Sequence, residues 1–142
     1  MAKKLDITNI TKQNLKILID NTTIKNRVVS IANTINSNYK NKNPIILCVL
    51  NGAFIFYADL VRYLKIDFEV DFIKLSSYGS STKSSGTVRM IKDVSANIAD
   101  RHVIIVEDII DTGLTINYLR KRMLDGQAKT VSFVTCLLKE RK

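Results

Sequence analysis

The run Val106-Glu107-Asp108-Ile109-Ile110-Asp111-Thr112-Gly113-Leu114-Thr115 holds two kinds of chemistry side by side. Glu107 and Asp108 are acceptors, suited to sugar hydroxyls or to a hard cation such as Mg²⁺. The turn from Asp111 to Thr115 offers donors instead. Successive backbone N–H groups at the start of a helix form an anion cradle, reinforced by the positive helix end. Gly113 permits a close approach or a positive φ, and the hydroxyls of Thr112 and Thr115 can donate to the same anion. Acceptors at one end and donors at the other fit a phosphorylated sugar. A helix merely capped by Asp111 or Thr112 needs neither the glycine nor the acidic pair. No GxxxxGK[ST] loop is present, so a Walker-type nucleotide site is excluded.

Elements with the right periods surround this run. Apolar residues at Ile24, Val28, Ile31, Ile35 and Tyr39 predict a helix with Thr22 or Thr23 as N-cap, broken at Asn41–Pro44. Ile45–Leu50 is apolar throughout, as a central parallel strand should be. Asn51-Gly52 follows, then a helix from Ala53 carrying Phe54, Ala58, Val61 and Leu64. Phe68, Val70 and Phe72 alternate with Glu69, Asp71 and Ile73, a strand period. Ser76–Thr87 is rich in Ser, Thr and Gly and is expected to be mobile, with a strand returning at Val88–Ile91. Val103–Val106 reads as a buried strand, Asp108–Leu114 as a loop, Thr115–Leu124 as a helix using Ile116, Leu119 and Met123, and Thr130–Leu138 as a last strand. Alternating strands and helices mean an α/β fold, a mostly parallel sheet covered on both faces. Ligands bind such sheets at the carboxyl ends of the strands, where Asn51-Gly52 and the Asp108–Leu114 loop both fall.

Composition narrows the classes. A length of 142 residues with 46% hydrophobic and 25% charged residues suits a single domain with a real core. No apolar run reaches the ~20 residues of a membrane helix, and the amino end lacks a signal-peptide core. A cytoplasmic location is expected. Cys48 and Cys136 sit in apolar runs without CxxC spacing, so buried reduced thiols are expected rather than a zinc site. His102, the single histidine, precedes a strand at the end away from the ligand and is read as structural. The net charge of +9 comes from scattered lysines, so nucleic acid is not an expected partner.

The string VEDIIDTGLT resembles the phosphoribosyl-pyrophosphate motif of hypoxanthine/guanine phosphoribosyltransferases, of the type I phosphoribosyltransferase family. Other segments agree in order. Leu50-Asn51-Gly52-Ala53 resembles the family's pyrophosphate loop, and Asp59-Leu60 a similar pair. Ser77-Tyr78-Gly79 resembles the start of its mobile catalytic loop, here a β-hairpin loop. The resemblance implies transfer of ribose 5-phosphate from 5-phosphoribosyl-1-pyrophosphate to hypoxanthine or guanine, giving IMP or GMP and pyrophosphate. It implies that Glu107 and Asp108 hold the ribose hydroxyls, directly or with Mg²⁺, and that Asp111 is the general base near N7 of the purine. Asp111, Thr112, Gly113, Leu114 and Thr115 would take the 5-phosphate. Leu50, Asn51 and Gly52, with a peptide bond that can be cis in the family, would meet the pyrophosphate with Ser77 and Tyr78. Ile109 belongs to the same substrate-binding run. Many relatives have lysine where this chain has Asn51.

The resemblance also implies a homodimer or homotetramer. Family elements beyond the last strand, namely a purine-reading lysine, a stacking aromatic and an aspartate near a second Mg²⁺, are not found. The chain is therefore read as one phosphoribosyltransferase-like domain, 1–142, lacking most of the family's C-terminal part. The competing reading is a non-catalytic module that binds the donor or a nucleotide in a regulatory or RNA-binding role.

Overall fold

The computed structural model describes residues 17–77, 88–110 and 113–139. In chain order these form α1 (Asn21–Asn38), β1 (Ile45–Leu50), α2 (Phe54–Val61), β2 (Glu69–Ser77), β3 (Val88–Lys92), β4 (His102–Ile110), α3 (Leu114–Asp125) and β5 (Thr130–Leu138). The five strands make one sheet in the order β3-β2-β1-β4-β5, parallel except for β3. This is the expected α/β architecture. β1 and β5 begin and end where the sequence places them.

β1 lies at the centre, paired in parallel with β2 and with β4. Ile45, Ile46, Leu47 and Cys48 are wholly buried, so both faces of this strand are covered. On one face Ile46, Cys48, Ile104 and Val106 pack against Val28, Ala32 and Ile35 of α1 and Phe56, Tyr57 and Leu60 of α2. On the other, Ile45, Leu47, Val103 and Ile105 pack against Leu119 and Met123 of α3. Asn36 ties α1 to the end of α2, donating to Tyr63 O at 3.1 Å and accepting from Lys65 N at 2.7 Å.

Several expectations require correction. The cap of α1 is Asp20, whose carboxylate accepts from Thr23 N at 2.7 Å, rather than Thr22 or Thr23. An ionised acceptor at this position also complements the helix dipole. α2 has only eight residues and buries Phe56, Tyr57 and Leu60, while Phe54 is half exposed. Of the residues expected on this helix, Val61 and Leu64 pack against the core from its edge, Leu64 beyond the helix end, while Phe54 faces outward. β4 runs through Glu107 and Asp108 to Ile110, where a loop from Asp108 was expected, because β5 continues to pair it as far as Ile110↔Leu138. β2 and β3 pair with a register break after Lys74, where Ile91 is the extra residue of a β-bulge.

Asp71 inverts the expected pattern of β2. It is the buried polar residue among the described ones, at 7% exposure, while Val70 is half exposed. Its carboxylate accepts from Phe72 N (2.7 Å), Ser95 N (2.6 Å), Ala96 N (2.8 Å) and Lys92 Nζ (3.2 Å). Asp93 in turn pairs with Arg122 of α3, Nε to Oδ2 at 3.1 Å. One carboxylate thus fastens the segment after β3 to the sheet. Burial pushes its pKa up, but the Ala96, Phe72 and Ser95 N–H donors and Lys92 outweigh this and hold it below the usual carboxylate value.

Replacing Asp71 by alanine takes the carboxylate from three backbone donors, Phe72, Ser95 and Ala96 N–H, each costing about 1–3 kcal/mol when buried and unmet, while Lys92 keeps Phe72 O and Asp93 O. Chemical denaturation should show a loss of at least ~2 kcal/mol at pH 7. A carboxyl with a depressed folded pKa stabilises above its unfolded pKa and loses that contribution as pH falls through the folded value. The gap between native and Asp71→Ala proteins should therefore narrow below about pH 4.

Candidate functional site

Chain order around β1 locates the site. From β1 the chain steps outward to β2 and β3, then crosses to the opposite side of β1 as β4. This reversal is a topological switch point, and the crevice beyond the carboxyl ends of β1 and β4 is where such sheets bind ligands. The β1–β4 ladder ends at the pair Cys48↔Val106. Past that pair the strands carry the candidate chemistry: Leu50 ends β1 and Asn51 and Gly52 follow it, while Glu107 and Asp108 lie on β4.

The peptide bond between Leu50 and Asn51 is cis, as the resemblance allowed. The turn then closes with Ala53 N donating to Val49 O at 3.4 Å and Phe54 N to Asn51 O at 3.3 Å. Asn51 and Gly52 are exposed. The carboxyl group of Asp108 lies against Gly52, so the strand ends meet across the crevice. Asp108 Oδ1 also accepts from Ile109 N at 2.8 Å.

Glu107 is the electrostatic centre. Among the described residues its Oε2 is buried with no hydrogen-bond partner. Burial first, then the hydrogen bond and charge of Asp108, raise its pKa from 4.5 to about 7. A half-neutralised acid beside a second carboxylate, with an oxygen lacking a partner, is a site in want of a cation or a hydroxyl donor. The Cys48 thiol beneath is pushed up to about 11, by burial and then by Glu107.

Gly113 occupies the N-cap position of α3 with φ 77°, a left-handed conformation, and has no side chain to close the first turn. The helix begins at Leu114, one residue before the expected Thr115. Leu114 and Ile109 are about half exposed. The side chain of Ser77 and all of Tyr78, Asp111 and Thr112 lie outside the described residues, as does most of the Ser76–Thr87 loop. Asp59 is on the surface, paired with Arg62 at 3.0 Å. His102 opens β4 at the far end of the sheet, bonded to Thr130 Oγ1 at 2.8 Å, in keeping with a structural role. Cys48 is buried and Cys136 half-buried, both free. No group of three or more metal-ligating side chains occurs among the described residues.

One neighbour escaped the sequence reading. Thr135 of β5 places its hydroxyl 2.8 Å from Leu137 O and 3.3 Å from Asp108 O. Twenty-seven residues separate Thr135 from Asp108, so only the β4–β5 register could have revealed it.

The sequence pattern of the phosphoribosyl transferase domain matches residues 14–142. The chain belongs to the phosphoribosyl transferase family. Among relatives in this family, the hypoxanthine-guanine phosphoribosyltransferase of Streptococcus thermophilus is 42% identical over 120 residues, covering 84% of this chain and 67% of the relative. The hypoxanthine-guanine-xanthine phosphoribosyltransferase of Tritrichomonas foetus is 42% identical over 123 residues, covering 87% of this chain and 66% of the relative. A crystal structure of the Bacillus anthracis hypoxanthine-guanine phosphoribosyltransferase, with HEPES in its active site, superposes with a TM-score of 0.82 at 37% identity, covering 89% of this chain and 75% of that one. These family relatives are enzymes, so the non-catalytic reading is not favoured. No helix among the described residues is long and apolar enough to cross a membrane.

The raised pKa of Glu107 has a measurable sign. A carboxyl whose folded pKa is raised favours the fold below its unfolded value and loses that contribution as pH rises to the folded value. For Glu107 the window runs from 4.5 to about 7. The Glu107→Gln protein should melt a few degrees above the parent at pH 8, with little difference at pH 4. A ¹³C titration of the Glu107 carboxyl should show its midpoint near pH 7.

Proposed function

We propose that this chain salvages purines by transferring ribose 5-phosphate from 5-phosphoribosyl-1-pyrophosphate to hypoxanthine or guanine, giving IMP or GMP and pyrophosphate. The observation that carries this reading is the acidic pair Glu107-Asp108 at the β1–β4 switch point, seated against the Leu50-Asn51-Gly52 turn.

The roles follow from polarity. Glu107 and Asp108 accept from the ribose hydroxyls. Asp111, Thr112, Gly113, Leu114 and Thr115 surround the 5-phosphate, using main-chain N–H groups and the positive end of α3. The backbone of Leu50, Asn51 and Gly52 donates to the pyrophosphate, aided by Ser77 and Tyr78. Ile109 sits beside the sugar acids as part of the same surface. As the bond from C1′ to pyrophosphate breaks and the bond to the purine nitrogen forms, the sugar carries positive charge. Fixed carboxylates beside it stabilise that charge without reorganising. The Asp111 carboxylate takes the proton the purine releases. Holding both reactants in line supplies much of the remaining acceleration.

Mg²⁺ suits the residues present. It takes few protein carboxylates and completes its shell with water and phosphate oxygens. Glu107 and Asp108 would hold it, and the buried, unpartnered Glu107 Oε2 is a ready acceptor. When bound it neutralises charge on the leaving pyrophosphate. The exposed apolar residues Phe54 and Ile55 support a homodimer or homotetramer, and the two free cysteines a cytoplasmic setting. The reading of 1–142 as one domain rests on a single continuous sheet.

The direct test is a spectrophotometric assay with the donor, Mg²⁺ and each purine in turn. Hypoxanthine or guanine should be consumed, and silence with every purine would remove the reading. Asp111→Asn should bind the donor as the parent does while turnover falls about 10²–10⁴-fold.

A further inference from the structure

Gly52 does not owe its place to backbone conformation, because Gly113 is the glycine with positive φ among those described. The constraint at position 52 is volume. A Cβ built there overlaps Asp108 Oδ2 and lies 2.7 Å from Cγ and 3.2 Å from Oδ1. The contacts involve the whole carboxyl group, so a methyl group there is accommodated only if the Asp108 side chain swings out of its present place. Leaving that place costs Asp108 its bond to the main chain. Its Oδ1 accepts from Ile109 N at 2.8 Å, and Ile109 is held in register with Leu137 of β5.

We propose that Gly52 is a positioning residue for Asp108: the missing side chain is the seat of the carboxylate, and it joins the turn after β1 to the end of β4 as one binding unit. The proposal rests on the function given above, in which that carboxylate meets the ribose. A methyl group at 52 forces Asp108 out of its seat, and shifts of about 1 Å in a binding group cost up to ~10²-fold.

The test is a double-mutant cycle of the parent, Gly52→Ala, Asp108→Ala and the pair, read by calorimetric IMP affinity with Mg²⁺ and by thermal midpoint. Gly52→Ala should weaken IMP binding roughly tenfold or more while Asp108 is present, and less than about twofold in the Asp108→Ala background. The thermal midpoint should fall in the first background and hold in the second. Equal losses in both backgrounds overturn the proposal, since a purely local effect of the methyl group ignores what stands at 108. If Gly52→Ala does not fold, a folded double variant supports the proposal and an unfolded one overturns it. If the parent binds no IMP, the proposed function fails, and the midpoint cycle still decides the role of Gly52.

Discussion

β1 and β4 cease to pair after Cys48 and Val106, and the chemistry of the chain is arranged around that parting. Up to this point the two strands are a dry, fully paired core. Beyond it their main chains diverge, each still supported by its outer neighbour. Backbone groups and carboxylates can then face a shared crevice while a rigid sheet stands behind them. The same apolar strands that stabilise the fold deliver Glu107 and Asp108 to its edge, so a half-buried acid is a consequence of where the core ends. The shift in Glu107 expresses that position.

The sequence disclosed most where burial is total. β1 is an uninterrupted apolar run between polar breaks, wholly buried from Ile45 to Cys48, and its limits were readable to the residue. It disclosed least where a tertiary partner overrides the local pattern. Glu107 and Asp108 look like the start of a loop, yet β5 keeps β4 extended through them. Asp71 looks like the solvent side of an alternating strand. It is buried because Ser95, Ala96 and Lys92 come to it from a segment twenty or more residues away. Apolar residues occupy nearly the whole circumference of α2, so periodicity could not single out Phe56, Tyr57 and Leu60 as its most buried side chains.

The site was legible in kind more than in contact. Residue types along Val106–Thr115 suffice to recognise an acceptor pair beside an anion cradle. The proximity of Asp108 to Gly52 and of Thr135 to Asp108 depends on strand order and register, which no local string encodes. Two glycines in the site illustrate the difference: one answers to a torsion angle that its neighbours in sequence announce, the other to an atom from a distant strand.

The bulge at Ile91 sets which way the residues of β3 face against β2. Facing alternates along a strand, so the surplus residue between Met90 and Lys92 exchanges inside for outside at the base of β3, where Lys92 stands opposite Lys74. Removing that one residue would turn either Met90 from the core it packs against or Lys92 from the Asp71 carboxylate.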